Sequence, residues 1–188
     1  VTIAAGGRAT SLNGAVTLDG LTVDAQNDVT LGNAGTDTIT VSSALVIIDT
    51  VTNNSAVDVN GAVSMGADLT ITGGAGLITL DGTVDGGNDL ILNTTGTTDI
   101  NGIIGGTTEL RSVTTNAGGT TEIGAAISTD TGDQTYNDAV SLTAGVTLTG
   151  LSGSGVTCNS TVDGNQDLVL AFGGATSFVG AVGFTNDI

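Results

Sequence analysis

The chain has 188 residues, a formal net charge of −17, few aromatic residues and neither His nor Pro. Without His, it has no His-based catalytic triad and no His metal site. Its two basic residues, Arg8 and Arg111, are too few to bind a nucleic acid backbone or an anionic membrane surface. The longest apolar run, Ala44 to Ile48, is too short to span a bilayer, so we expect no direct membrane insertion.

Short segments along the chain alternate apolar and polar residues, and this alternation predicts β-strands. Examples in chain order are Ala15 to Leu18, Leu69 to Thr72 and Val146 to Thr149. Period two, with many Val, Ile and Thr residues, is typical of strands. Clusters of Gly, Asn and Asp, as at positions 86–88 and 118–119, indicate sharp corners between them. The sequence therefore predicts an all-β fold.

The strands belong to a long internal repeat. The segment Val84 to Gly105 aligns without gaps with Val162 to Gly183, at an offset of 78, with ten identities in 22 positions. Ala62 to Gly73 aligns with Ala139 to Gly150 at an offset of 77, with seven identities in 12. We predict a single solenoid segment over residues 1–188, with repeat copies at about 62–139 and 140–188 and a partial copy in 1–61.

A shorter period lies within this unit. The spacing from Leu90 to Leu110 is the same as the spacing from Leu148 to Leu168, and both are about a quarter of the long repeat. Periods of this kind are typical of solenoids, and four such coils would fill one 78-residue unit. We therefore predict a parallel β-helix (β-solenoid), right-handed, with coils of about 20 residues. A β-sandwich is the alternative, although it offers no reason for these periods.

The repeat resembles those of a known family. The segment VDGGNDLILNTTGTTDINGIIGGTTELRSVTTNAGGTTEIG is similar to repeats in giant secreted bacterial adhesins of the filamentous-haemagglutinin type. The resemblance covers mainly Thr79 to Gly150 and, through the repeat, Val156 to Gly183. It implies a secreted or surface-anchored β-helical stalk.

One acidic motif recurs and suggests a cation site. The pattern Val-Asp-x-x-[Asn/Gln]-Asp occurs three times, and carboxylate and amide oxygens are the ligands that Ca²⁺ prefers. An alternative interpretation, which we favour, is that these Asp side chains cap corners by accepting hydrogen bonds from nearby N–H groups. The candidate Ca²⁺ ligands are Asp24, Asp28, Asp85, Asp89, Asp163 and Asp167.

Other candidates each have a simpler structural explanation. Thr-x-Thr motifs form ice-binding arrays when they recur once per coil, but the best-matched pair, at Thr70 and Thr147, is about four coils apart, so we expect no continuous Thr array. Cys158 is expected to be a small buried hydrophobe. Glu109 and Arg111 would share one face of a strand and form a surface ion pair. Tyr136 is expected to cover a coil end or to fill the core.

The composition and the repeat together predict a structural role. We expect a stalk or filament segment of a secreted bacterial cell-surface adhesin or extracellular fibre, stacking end to end through open β-helix edges. Its partners would be copies of itself or neighbouring repeats of a parent chain, and a glycan or host receptor. The alternative is a module that binds Ca²⁺ or a glycan. A polysaccharide-active enzyme is less expected, because the chain lacks aromatic platforms and basic residues.

Overall fold

A computed structural model describes residues 56–183 throughout and, before them, the backbone of eight strands. Those eight strands are β1 (Thr2–Ala5), β2 (Thr10–Leu12), β3 (Val16–Leu18), β4 (Leu21–Ala25), β5 (Val29–Leu31), β6 (Ile39–Val41), β7 (Leu45–Ile47) and β8 (Val51–Thr52). The later strands are β9 (Val57–Val59), β10 (Val63–Met65), β11 (Leu69–Gly74), β12 (Ile78–Leu80), β13 (Val84–Asp85), β14 (Asp89–Thr94), β15 (Thr97–Ile100), β16 (Ser112–Thr115), β17 (Thr120–Ile123), β18 (Ile127–Thr129), β19 (Gln134–Tyr136), β20 (Ala139–Leu142), β21 (Val146–Gly150), β22 (Val156–Cys158), β23 (Val162–Asp163), β24 (Leu168–Phe172), β25 (Thr176–Phe178) and β26 (Val182–Gly183).

The strands wind into a solenoid with three sides. All strand pairs are parallel and join successive coils, so sides 2 and 3 are continuous nine-stranded sheets, and side 1 is divided into a five-stranded and a three-stranded sheet. Side 2 contains β2, β5, β8, β11, β14, β16, β19, β22 and β25. Side 3 contains β3, β6, β9, β12, β15, β17, β20, β23 and β26. Side 1 contains β1, β4, β7, β10 and β13, followed by β18, β21 and β24.

The strand register sets the length of each coil. On side 3, Ile78 pairs with Thr98, Thr98 with Thr121, and Thr121 with Val140, so successive coils have unequal lengths and the middle one is the longest. Residues 56–183 make about six turns of about 21 residues. The predicted β-solenoid is thus confirmed, and the sandwich alternative is wrong. The right-handed winding stays a prediction.

Alternation along each strand places one row of side chains inside. Leu90 and Leu92 in β14 are fully buried, whereas Ile91 between them is 40% exposed. The core is a stack of Val, Leu and Ile side chains contributed by all three sides. Each buried aliphatic side chain stabilises the fold by about 1.5–3 kcal/mol relative to an exposed one. Tyr136 also lies in this core and is fully buried, which confirms the second of its two expected places.

Side 1 is interrupted at one coil. Between β13 and β18, a single residue, Ile104, bridges Val84 in the preceding coil and Ile127 in the next. The chain then leaves the sheet in an exposed loop over residues 106–108. Gly105 starts this loop with a φ of 70°, a left-handed conformation that favours glycine. The loop makes the coil from Thr98 to Thr121 longer than the coils before and after it on side 3.

Candidate functional site

The six predicted Ca²⁺ ligands fall on different corners of the solenoid. Asp28 and the side chain of Asp24 lie outside the described residues. Asp85 ends β13 and Asp89 begins β14, so this pair flanks the corner between sides 1 and 2. Asp163 ends β23, and Asp167 immediately precedes β24, so the second pair flanks the corner between sides 3 and 1. The two copies of the motif are therefore not stacked on one another.

Two of these carboxylates accept hydrogen bonds from backbone N–H groups. Asp85 Oδ1 accepts hydrogen bonds from the N–H groups of Thr107 and Thr108, at 2.7 and 3.1 Å, and so holds the exposed loop against the preceding coil. Asp163 Oδ1 accepts a hydrogen bond from the N–H of the next residue, Gly164, at 2.8 Å. The Asp163 contact is of the expected local, corner-capping kind, whereas the Asp85 contacts join two successive coils.

Asp89 takes part in an ion-pair cluster that crosses three coils. Arg111 Nε donates to Asp89 Oδ1 at 2.6 Å, and its Nη2 contacts Asp89 Oδ2. The same Nη2 lies 3.1 Å from both carboxylate oxygens of Asp68, one coil further back. The Ser112 hydroxyl donates to Asp89 Oδ1 at 2.8 Å. The expected pairing of Arg111 with Glu109 is wrong, because two stacked carboxylates, Asp89 and Asp68, bind the guanidinium instead.

This cluster alters the ionisation of its members. The hydrogen bond from Arg111 holds the pKa of Asp89 below its usual range, with further lowering from Ser112 and from the Arg111 charge. Asp89, in turn, raises the pKa of Arg111, chiefly through the same hydrogen bond. The guanidinium occupies the carboxylate oxygens that a cation would need. Within residues 56–183, no group of three or more acidic or Cys side chains is placed to hold a metal ion, and Ca²⁺ binding stays a prediction.

The outer surface of side 2 carries a row of hydroxyl side chains, one from nearly every coil. Strand register aligns them as neighbours. The hydroxyl-bearing members are Thr70, Thr114, Thr135, Thr157 and Ser177, and Ile91 interrupts the row between Thr70 and Thr114. In the described coils this row is not a continuous Thr-x-Thr array, because Ile91 interrupts it and Asn93, rather than a Thr, is the neighbour of Thr72. This agrees with the expectation from the sequence. The search for Thr-x-Thr pairs missed this row because each strand contributes a single residue to it, and because unequal coils give the row no fixed spacing in the sequence.

An asparagine ladder lines the corner between sides 2 and 3. Its members lie at successive coils: Asn93 is near the end of β14, and Asn116, Asn137 and Asn159 directly follow β16, β19 and β22. Asn159 Nδ2 donates to Asn137 Oδ1 at 2.8 Å, and Asn137 Nδ2 donates to the carbonyl of Thr115 at 2.7 Å. Asn116 Oδ1 accepts the N–H of Thr94 at 2.8 Å. The sequence analysis missed this ladder, although the recurrence of Asn about once per coil is visible in the sequence.

The core also contains polar groups. The Tyr136 hydroxyl donates to Gln134 Oε1 at 2.9 Å, and Gln134 Nε2 donates to the carbonyls of Ile127 and Thr149 at 3.2 and 2.9 Å. Cys158 stacks on Tyr136, and burial raises the pKa of its thiol to about 11. Its prediction as a small buried hydrophobe is confirmed.

A shallow depression of about 360 Å³ lies beside the start of β24, and its described lining is Gln166 to Val169. Asp167 is the only charged residue in that lining, so no second carboxylate and no basic side chain lies beside it there.

The last described coil is less well covered than the coils before it. Leu168, Leu170 and Phe178 point inward but are only partly buried. Their neighbours in the preceding coil, Val146, Leu148 and Cys158, are 2 to 3% exposed. The difference follows from stacking, because the preceding coil is covered on both faces. Among the described residues, nothing pairs with the outer edges of β24, β25 and β26.

Comparisons with known proteins identify no relative of this chain. No family model matches the chain, and no curated protein or solved structure is significantly similar to it. In the described part of the chain, no helix has the length and apolarity needed to cross a membrane.

Proposed function

We propose that this chain is a structural segment, a rigid β-solenoid rod that forms part of a secreted bacterial adhesin stalk or extracellular fibre and stacks end to end. The observation that carries the proposal is the incomplete burial of the last coil. Leu170 has the same inward position as Leu148, yet in the described part of the chain Leu148 has a coil on each side and Leu170 has one on a single side. A further coil would bury Leu170 in the same way and would pair the open edge of β24.

An added coil would contact the last coil in the same way as successive coils contact each other inside the molecule. The last described coil ends in β24, β25 and β26, one parallel strand on each side, so an added coil extends three sheets at once. The covering coil comes from a neighbouring repeat in a long chain, or from a second copy in a fibre. The resemblance to filamentous-haemagglutinin-type repeats supports an extracellular stalk.

A structural role also agrees with the chemistry of the described side chains. The charged cluster at Asp68, Asp89 and Arg111 is saturated by its own contacts. Asp85 and Asp163 are occupied by backbone N–H groups. Each of these groups stabilises a corner or ties coils together. We therefore propose a non-enzymatic protein.

Electron microscopy of the chain over a range of concentrations tests the proposal. We expect rods that join end to end, with an axial repeat of roughly 45 Å or a multiple of it. Leu170→Asp places a charge in the stacking surface and should leave single rods. Val169→Asp is the matched control, because Val169 is on the same strand but points outward and is 53% exposed; its rods should still join. Single wild-type rods at every concentration would contradict docking between copies, and globular particles would contradict the rod itself.

A further inference from the structure

The 78-residue sequence repeat does not return to the same side of the solenoid. Val84 lies in β13 on side 1, whereas its counterpart Val162 lies in β23 on side 3. Leu90 lies in β14 on side 2, and its counterpart Leu168 lies in β24 on side 1. The interpretation that four whole coils fill one repeat is therefore wrong.

The second pair of repeated segments shows the same displacement independently. Val63 in β10 is on side 1, and its counterpart Val140 in β20 is on side 3. Leu69 in β11 is on side 2, and its counterpart Val146 in β21 is on side 1. Every matched residue has moved by one side in the same direction. Each coil has three sides, and Ile104 takes the place of a strand on side 1. With Ile104 counted as a side, the repeat spans eleven sides, which is one side fewer than four whole coils.

The displaced copies keep their inward and outward pattern. Leu90 and Leu92 point into the core from side 2, and their counterparts Leu168 and Leu170 point inward from side 1. Between them, Ile91 and its counterpart Val169 both point outward and are 40% and 53% exposed. One sequence pattern thus serves two different sides. Alternation and a corner suffice to make a side, and nothing in the pattern specifies which side it is.

We infer that the three sides are interchangeable and that the recurring unit of this rod is one side, a strand with its corner, rather than one coil. In a stalk built from the 78-residue unit, each outward motif then appears one side further round at every repeat and returns to its first side after three repeats. Such a rod presents the same surface in three directions, so a partner that binds along its length meets that surface from any approach. This goes beyond the proposed structural role, because a rod built from whole-coil repeats would present one motif on one side only.

Lengthening the full chain tests the inference. In the first variant, a second copy of residues 85–162 is inserted directly after Val162, so that the added segment spans eleven sides. In the second variant, a copy of residues 85–148 is inserted after Leu148. This insert is three whole coils, because the residues at the same place in successive coils are Val84, Ile104, Ile127 and Leu148. A third variant inserts residues 89–162 after Val162 and lacks the corner at 85–88. We expect the first two to fold with β-sheet circular dichroism and cooperative unfolding, and the third to misfold.

A disulfide identifies the side on which the inserted strand lies. In the first variant, the copy of β14 should take side 1 beside β21, because it follows β23 on side 3. The copied Ile91 then neighbours Thr147, as Val169 does in the natural chain. With both changed to Cys, and with Cys158 and its inserted copy both changed to Ala, the two residues are adjacent on parallel strands about 4.8 Å apart, within disulfide range. We expect near-complete oxidation in the first variant.

Three results would overturn the inference. The first is folding of the whole-coil insertion alone, which would mean that the sides differ. The second is folding of both insertions without the disulfide, which would mean that the insert is accommodated in some other way. If neither insertion folds, the junction after Val140, extended by a copy of residues 64–140, decides the question. A second failure there, beside a folded natural chain, would also refute interchangeable sides.

Discussion

Glycines at the corner between sides 3 and 1 control how closely the coils approach, and this predicts a large effect of one methyl group. Gly61, Gly82 and Gly102 stack there in successive coils. A Cβ added to Gly102 would overlap the backbone carbonyl of Gly82 and lie 2.9 Å from the carbonyl oxygen of Asp81. Both obstacles are main-chain atoms held by the sheets. The N–H of Gly102 also donates to the Leu80 carbonyl at 2.8 Å, and this bond holds the Gly102 backbone against the preceding coil.

We expect Gly102→Ala to lower the free energy of unfolding by about 1–3 kcal/mol, the usual cost of overpacking. Gly87→Ala is the matched control, because Gly87 lies at the corner between sides 1 and 2 and nothing lies within 4 Å of a Cβ added there. It should be neutral or stabilising by about 0.4–1 kcal/mol, since Ala restricts the unfolded chain. The two variants therefore differ by roughly 1–4 kcal/mol.

Urea unfolding followed by circular dichroism measures the difference, and amide hydrogen exchange locates it. Because solenoids open locally, the loss of protection in Gly102→Ala should concentrate in β12 and β15 and their neighbours. Equal midpoints for Gly102→Ala and the natural chain would refute the argument. They would show that the coils can separate at this corner without cost.

Three further predictions concern titratable groups. Arg111→Ala should lower the urea midpoint of unfolding at pH 7. The loss should be smaller in concentrated salt, which screens the ion pair, and below the lowered pKa of Asp89, where the protonated carboxyl no longer attracts the guanidinium. An equal loss at every pH and salt concentration would contradict the ion-pair role. Burial raises the pKa of Asp138, so its ionisation costs stability as pH rises from about 3.9 through the folded pKa. Asp138→Asn should therefore gain stability relative to the natural chain as pH rises through this range in urea titrations, and a constant difference would count against burial as the cause. The Cys158 thiol, with its raised pKa of about 11, should react with a disulfide reagent only at the rate of local opening, so rapid labelling of the folded chain would disprove its burial.

Local features of the fold and of its corners could be read from the sequence. Alternation around Leu69–Thr72 and Val146–Thr149 predicted strands that the structure contains as β11 and β21. The corner-capping interpretation matched Asp163, whose side chain reaches an N–H group in its own corner, whereas the partners of Asp85 lie one coil further along the chain. The partners of Arg111 could not be predicted in this way. Asp89 and Asp68 lie one and two coils away along the chain, and only the stacking of coils brings them within reach.

The sequence by itself determined the side, meaning a strand with one row of apolar residues and a corner of Gly, Asn or Asp, since these depend on the local backbone and on burial of alternate residues. Only the tertiary structure decided how sides add up to coils. The coils differ in length, because the length of each coil depends on its corners and, in one coil, on the loop after Ile104. Two residues separated by a constant number of positions in the sequence therefore need not lie on the same side of the solenoid. The Thr row, the Asn ladder and the Arg111 cluster all follow from that winding, because each joins residues that are neighbours only across stacked coils.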